Sequence, residues 1–337
     1  MLYDSPVAAP KTAPENEAIV IMIALHNKHL TVGVDESLGG EITQIQSNGV
    51  DLLAYYDWES PVGSRQSSGY GHERHDWLSD YRGGWQLLVP NAGPECDVDG
   101  VHHPFHGEWS RTRVTIEEQT QTAVTMRAGT RTPVVVQRRV WLENNPPRLL
   151  VSTRVHNDSP ESTSFIWGEH PAFAVASGDR VDLPAARVAD GQGNVLGTWP
   201  LQASSDNRPR IDVVTSDAPH ETVHFVTDLP AGWAALHRSR VSVAMAWDAR
   251  DFPHVWLWRE HASAGFPFFG RASLLAIEPA LSWPGIGLAE ARRRGQAITL
   301  APGESRSTTV AIVPFVSSGA SVTGVSTDGT ISFGAPR

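Results

Sequence analysis

"VVVQRRVWLENNPPRLLVSTRVHN", residues 134–157, is the stretch whose reading decides the fold. Successive side chains of a strand point to opposite faces, so Val136, Arg138, Val140 and Leu142 share one face, while Val135, Gln137, Arg139 and Trp141 share the other. The alternation stops at "ENNPPR", where Asn and Pro supply turn chemistry, and a β-branched run resumes after it. The stretch predicts an antiparallel hairpin with one face against a core.

The same pattern extends outward on both sides. In "LTVGVDESLGGEITQIQSNG" Leu30, Val32 and Val34 alternate, a Gly-Gly turn leads to Ile42 and Ile45, and "SNG" closes the next turn. In "RVTIEEQTQTAVTMR" Val114 and Ile116 alternate before a polar turn, and Val124 and Met126 after it. Later segments such as "ETVHFVTDL", "VSVAMAWD", "HVWLWRE", "SLLAIEPAL" and "STTVAIVPF" are short, rich in β-branched and aromatic residues, and punctuated by Gly, Pro, Asp or Ser. Helix signals are nearly absent, the best being the two-turn "LAEARRRG". Many short strands without a linker predict an all-β protein, a large antiparallel β-sandwich in a single domain over residues 19–316. Residues 1–18, rich in Pro, Ala and Glu, read as a flexible arm, and 317–337 as a small, polar tail.

Composition narrows the function. The chain has 337 residues, 40% of them apolar, enough for a substantial core. A formal charge of −10 gives no basic footprint for nucleic acid or an anionic membrane. The single cysteine, Cys96, excludes an internal disulfide framework and a multi-cysteine zinc site, and reads as an inert small hydrophobe. "AIVIMIAL" near the start is too short to span a bilayer and follows no basic region, so we expect a soluble, cytoplasmic protein. The 12 tryptophans either fill a large β core or offer flat faces for the C–H side of a pyranose.

Three places combine titratable side chains with turns. "WGEHPAF" (167–173) sets Glu169 and His170 at the end of an apolar strand. "GGWQLLVPNAGPECDVDGVHHPFHGEWS" (83–110) carries Trp85, Asn91, His102, His103 and His106. "LLAIEPALSWPG" places Glu278 before Pro279, which has no N–H for a sheet ladder. Taken singly, His170 reads as a hydrogen-bonded structural histidine and Glu278 as a loop anchor. The histidines of "VHHPFHG" and "GHERH" could also ligate a metal, although no spacing such as HExxH supports this and no metal is expected.

Together, His106-Gly107, the His-Pro-x-Phe of His170 to Phe173, the apolar-Glu-Pro of Ile277 to Pro279, and the closing "LAPGES" of Leu300 to Ser305 run in an order that resembles the aldose 1-epimerases, or galactose mutarotase-like proteins, over roughly residues 25–315. The resemblance implies a β-supersandwich that interconverts the α and β anomers of a free aldose without a cofactor. By motif, Glu278 matches the general base that takes the proton from the anomeric hydroxyl, and His170 the general acid that protonates the ring oxygen. His106 matches a second histidine that binds and polarises the sugar. Trp85, Asn91, Asp248 and Arg82 are the candidate substrate-binding residues. The family usually has Asn-Arg where this chain has Asn91-Ala92, so Arg65, Arg74 or Arg82, in the insert over 63–82, would have to replace the clamping arginine. Two other readings remain: a non-catalytic sugar-binding protein on the same fold, and an epimerase for anionic sugars.

The acid/base assignment agrees with the chemistry. Ring opening removes a proton from one oxygen and delivers one to another, so a base and an acid must flank one edge of the sugar. A carboxylate near His170, for example Glu169, would hold the imidazole protonated, but neighbours on a strand face opposite ways and Glu169 is a doubtful partner on that ground.

Overall fold

The structure, a computed structural model, describes residues 22–56, 73–201, 210–216 and 218–336. The expected arm, Arg65 and the first part of the insert lie outside the described residues. Strands β1 (Met22–His26), β2 (Leu30–Asp35), β3 (Glu41–Ser47) and the short β4 (Val50–Asp51) form an antiparallel meander. Helix α1 (Glu73–Asp80) precedes β5 (Trp85–Leu88), the small hairpin β6 (Cys96–Val98) and β7 (Val101–His103), and a 3-10 turn at Trp109–Arg111. A second meander comprises β8 (Thr115–Gln119), β9 (Ala123–Gly129), β10 (Val134–Asn144) and β11 (Pro147–Asn157). After β12 (Thr163–Phe165) and β13 (Gly168–Ala174) come β14 (Arg180–Asp182), β15 (Arg187–Asp190), β16 (Val195–Thr198) and β17 (His220–Thr227). Then follow β18 (Trp233–His237), β19 (Ser242–Ala246), β20 (His254–His261) and β21 (Ser273–Ala280). Helix α2 (Gly287–Arg293), β22 (Ile298–Leu300), β23 (Ser305–Phe315), β24 (Ala320–Val325) and β25 (Ile331–Pro336) complete the chain.

These strands build a sandwich. One sheet runs β1-β2-β3-β5-β13-β21-β20-β17-β15-β16, with β4 beside β3, and the other runs β14-β18-β19-β23-β11-β10-β9-β8. The expected hairpin over 134–157 is β10 and β11, paired from Val134 opposite Asn157 to Asn144 opposite Pro147. Its alternation is realised: Val136, Arg138, Val140 and Leu142 are buried, while Arg139 is exposed. Between the sheets lies a core that includes Val32, Val34, Val140, Val151, Leu257 and Ile277, apolar faces that each sheet must hide from water.

Two local departures have physical causes. Ile42 and Ile45 are three apart, yet both are fully buried, because the β2–β3 register shifts between Gly33/Gln44 and Val34/Ile42 and leaves Thr43 as an extra residue. The segment expected to be a polar tail instead forms the β24–β25 hairpin, which packs Val322 with Trp233, Ala235, Ala244 and Val313.

Candidate active site

The large sheet's outer face holds the site, and strand register explains its composition. Gly168 on β13 faces Ala280 on β21, and Ala172 faces Ala276, so His170 falls opposite Glu278. Glu278 in turn lies opposite Trp256 on β20, and Trp256 opposite Phe225 on β17. The next row along holds Ala172, Ala276, Trp258 and Val223, and the two alanines leave room where larger side chains would fill it. Above this floor is a cavity of about 570 Å³, within the range of small-molecule sites. Its aromatic walls are Trp77, Phe105, Phe225, Trp256 and Trp258; its polar side chains include His106, His170, Glu278, Arg74 and Glu221.

His170 and Glu278 are buried, and His170 Nε2 lies 3.4 Å from Glu278 Oε1. Burial lowers the His170 imidazole to about 4 and pushes the Glu278 carboxyl well above its ordinary range, because a low-dielectric setting disfavours each charged form. Tyr81 O–H stands 3.5 Å from His170 Nδ1, and burial, followed by the field of Glu278, raises its phenol well above its usual value.

His106 arrives from a tight turn. It adopts φ 61°, Gly107 follows at φ 76°, and a Cβ on Gly107 would sit 2.5 Å from the Val89 carbonyl oxygen, so only glycine fits beside that strand. The Gly93 N–H donates to His106 Nδ1 at 3.0 Å, which fixes Nε2 as the ring's own donor. Burial, reinforced by His170 and Arg74, holds His106 well below the usual imidazole range. Its ring centroid is 5.8 Å from that of His170. His106, His170 and Glu278 therefore meet at one cavity.

The other expected residues are elsewhere. Glu169 points into the inter-sheet core, where Arg138 Nη1 and Nη2 donate to its two oxygens at 3.0 and 2.9 Å and Trp85 Nε1 donates at 2.7 Å. It cannot set the charge of His170, and Trp85 does not line the cavity. Asn91 is fully buried in a structural clamp: its Nδ2 donates to the Pro94 and Pro104 carbonyls at 2.8 and 2.9 Å, and its Oδ1 accepts from Leu288 N–H at 2.7 Å. Asp248 pairs with Arg250 on a turn away from the cavity. Arg82 borders a small separate pocket of about 80 Å³ with Gln86 and Arg111. Of the three candidate arginines, Arg74 on α1 lines the cavity. His102 is bound to Glu73 and Asp97 at the surface, and His103 faces Thr132. Among the described residues no group of three or more His, Cys, Asp or Glu side chains is arranged to hold a metal ion.

Sequence reading missed the aromatic walls and Glu221. One signal was present: "HVWLWRE" puts Trp256 and Trp258 two apart, hence on one face of a strand. The buried Arg138, on the apolar face of its hairpin, equally signalled a hidden carboxylate partner.

No curated protein sequence matches the chain. Among solved structures, the Slr1438 protein of Synechocystis sp. PCC 6803 superposes with a TM-score of 0.66 at 15% identity, over 92% of this chain and 100% of that one. A candidate aldose 1-epimerase from Escherichia coli K12 gives 0.64 at 16%, over 88% and 99%. A galactose mutarotase-like protein from Lactobacillus casei ATCC 334 gives 0.59 at 17%, over 87% and 100%. At such identities the likeness is one of fold, the galactose mutarotase-like sandwich. A family model, described as a domain of unknown function (DUF4432), matches residues 19–313, and the chain belongs to that family.

Proposed function

We propose that the protein is an aldose 1-epimerase-like enzyme that interconverts the α and β anomers of a free aldose. The observation that carries this reading is the His170–Glu278 pair, 3.4 Å apart at the floor of an aromatic-walled cavity. Glu278 takes the proton of the anomeric hydroxyl while His170 delivers one to the ring oxygen. The C1–O5 bond then breaks to give the open-chain aldehyde. Rotation about C1–C2 and the reverse transfers close the ring on the other face. In the free site these directions place the shared proton on Glu278 and leave His170 neutral, so the assigned roles require that proton to pass to His170 across the 3.4 Å gap when the sugar binds; in that form the carboxylate is a strong base and the imidazolium a strong acid. His106, with Nδ1 occupied by Gly93, offers its Nε2–H to a sugar oxygen. The flat faces of Trp256 and Trp258 suit the C–H side of a pyranose.

The test is anomer-resolved NMR or polarimetry on freshly dissolved α-sugars. Glu278→Gln and His170→Asn should each lower the enzyme-dependent rate by about 10²–10⁴-fold, the usual contribution of a positioned acid or base. Undiminished activity in both variants sinks the assignment. Sugar binding by the wild type without faster equilibration would favour a non-catalytic binding protein.

A further inference from the structure

At the cavity rim Arg74 Nη2 donates to Glu221 Oε1 at 2.7 Å, and the same oxygen accepts from Trp258 Nε1 at 3.1 Å. All three residues line the cavity, and among the described lining residues Arg74 carries the one permanent positive charge. The Arg74 and Glu221 side chains are 41% and 39% exposed, so the pair adds little to stability, about 0–1 kcal/mol. Its consequence is electrostatic. Glu221 cancels the charge of Arg74 where a ligand enters, and burial disfavours a cation on His106. A second carboxylate, Glu260, lies opposite Glu221 in the β17–β20 register.

We propose that Glu221 is the specificity-determining residue of this cavity, a charge filter that restricts it to uncharged sugars and turns away sugar phosphates and uronates. This rests on the sugar reading above. A guanidinium beside a carboxylate offers donors and acceptors to the hydroxyls of a neutral polyol, whereas a phosphate would have to displace Glu221 to reach Arg74. Removing the carboxylate charge should therefore convert the rim into an anion site.

The experiment compares D-galactose with D-galactose 6-phosphate, by anomer exchange and by equilibrium binding, in wild type, Glu221→Gln and the double variant Glu221→Gln/Arg74→Gln. Glutamine keeps the length of Glu221 and an acceptor for Trp258, and equal thermal midpoints would show that the fold is kept. Wild type should favour the neutral sugar. Glu221→Gln should raise the phosphate-to-neutral ratio of kcat/KM, and of binding constants, at least about tenfold, the effect of one added charge-assisted hydrogen bond between Arg74 and the phosphate. The change should lie in KM rather than kcat, and the double variant should erase it. A wild type that favours the phosphate, a ratio unmoved in Glu221→Gln, or an increase that survives loss of Arg74 overturns the filter. So does binding of neither sugar. A wild type that binds but does not speed equilibration sinks the epimerase reading alone, since the binding ratios still test the filter.

Discussion

Two side chains with opposite burial effects share one position in space. His170, held to about 4, and Glu278, held well above its ordinary value, lie 3.4 Å apart and act as one titrating unit. Its competent state carries a single exchangeable proton, on either partner. A second proton enters only as pH falls toward the lowered imidazole value, and the last one leaves only above the raised carboxyl value. The expected kcat/KM profile is thus a bell with its acid limb near the His170 value of about 4 and its alkaline limb above the ordinary carboxylate range. A profile flat from about pH 3 to about 10 would remove the pair from the mechanism. The three residues at the centre of this site were legible only through the order of the His-Gly, His-Pro and Glu-Pro motifs, which resembles a known family; taken singly, only His106-Gly107 answers a backbone demand, at φ 61° and 76°. Asn91, Asp248, Arg82 and Trp85 were not, since which way a turn or strand residue faces depends on partners distant in the chain.

At the level of elements, alternation made the hairpins readable, whereas α1 left almost no trace. Its buried residues are Asp76, Trp77 and Leu78, too few for an apolar stripe, and it is held by tertiary contacts such as the edge-on packing of Trp77 on His106, ring centroids 4.7 Å apart. Helix α2 was visible through "LAEARRRG", and its start is fixed by Asn91, which takes the Leu288 N–H while holding the Pro94 and Pro104 carbonyls. Asn91→Ala would leave those groups without a partner in a buried setting, a cost of about 1–3 kcal/mol. The loop between Asn91 and His106 should loosen with it, and activity should fall, because Gly93 orients His106. An unfolding midpoint in denaturant equal to that of wild type would contradict this account of the clamp.

Across the whole molecule, the second sheet lends the cavity no lining residue and supports it from behind, through Arg138 and Thr153 on Glu169. The β24–β25 hairpin extends that support. Asp182 Oδ2 accepts from His237 Nε2 and Val322 N–H, each at 2.8 Å, and His237 Nδ1 meets Ser317 Oγ at 2.8 Å. Burial raises the Asp182 carboxyl, but the hydrogen bonds from His237 and Val322 and the nearby Arg180 outweigh it, so it ends below its ordinary value. A carboxyl depressed on folding adds stability above its unfolded pKa, and that contribution is lost as pH falls through the folded value. Asp182→Asn should therefore weaken the hairpin most at neutral pH and make unfolding less steep in acid. Amide exchange over residues 320–336 should report it, and protection equal to wild type at neutral pH would refute the tie.

Strand β13 places Glu169 and His170 on opposite faces, one clasped by arginine and the other bordering the cavity. Inserting one residue at its start would carry Glu169 to the open side next to Glu278, and deleting one would set His170 against the guanidinium; either change swaps the faces of the two side chains. The fold then tolerates no drift there, since a shift that spoils the interior spoils the chemistry in the same stroke. Length changes compatible with a working protein should accumulate in the loops on either side of this strand, never within it.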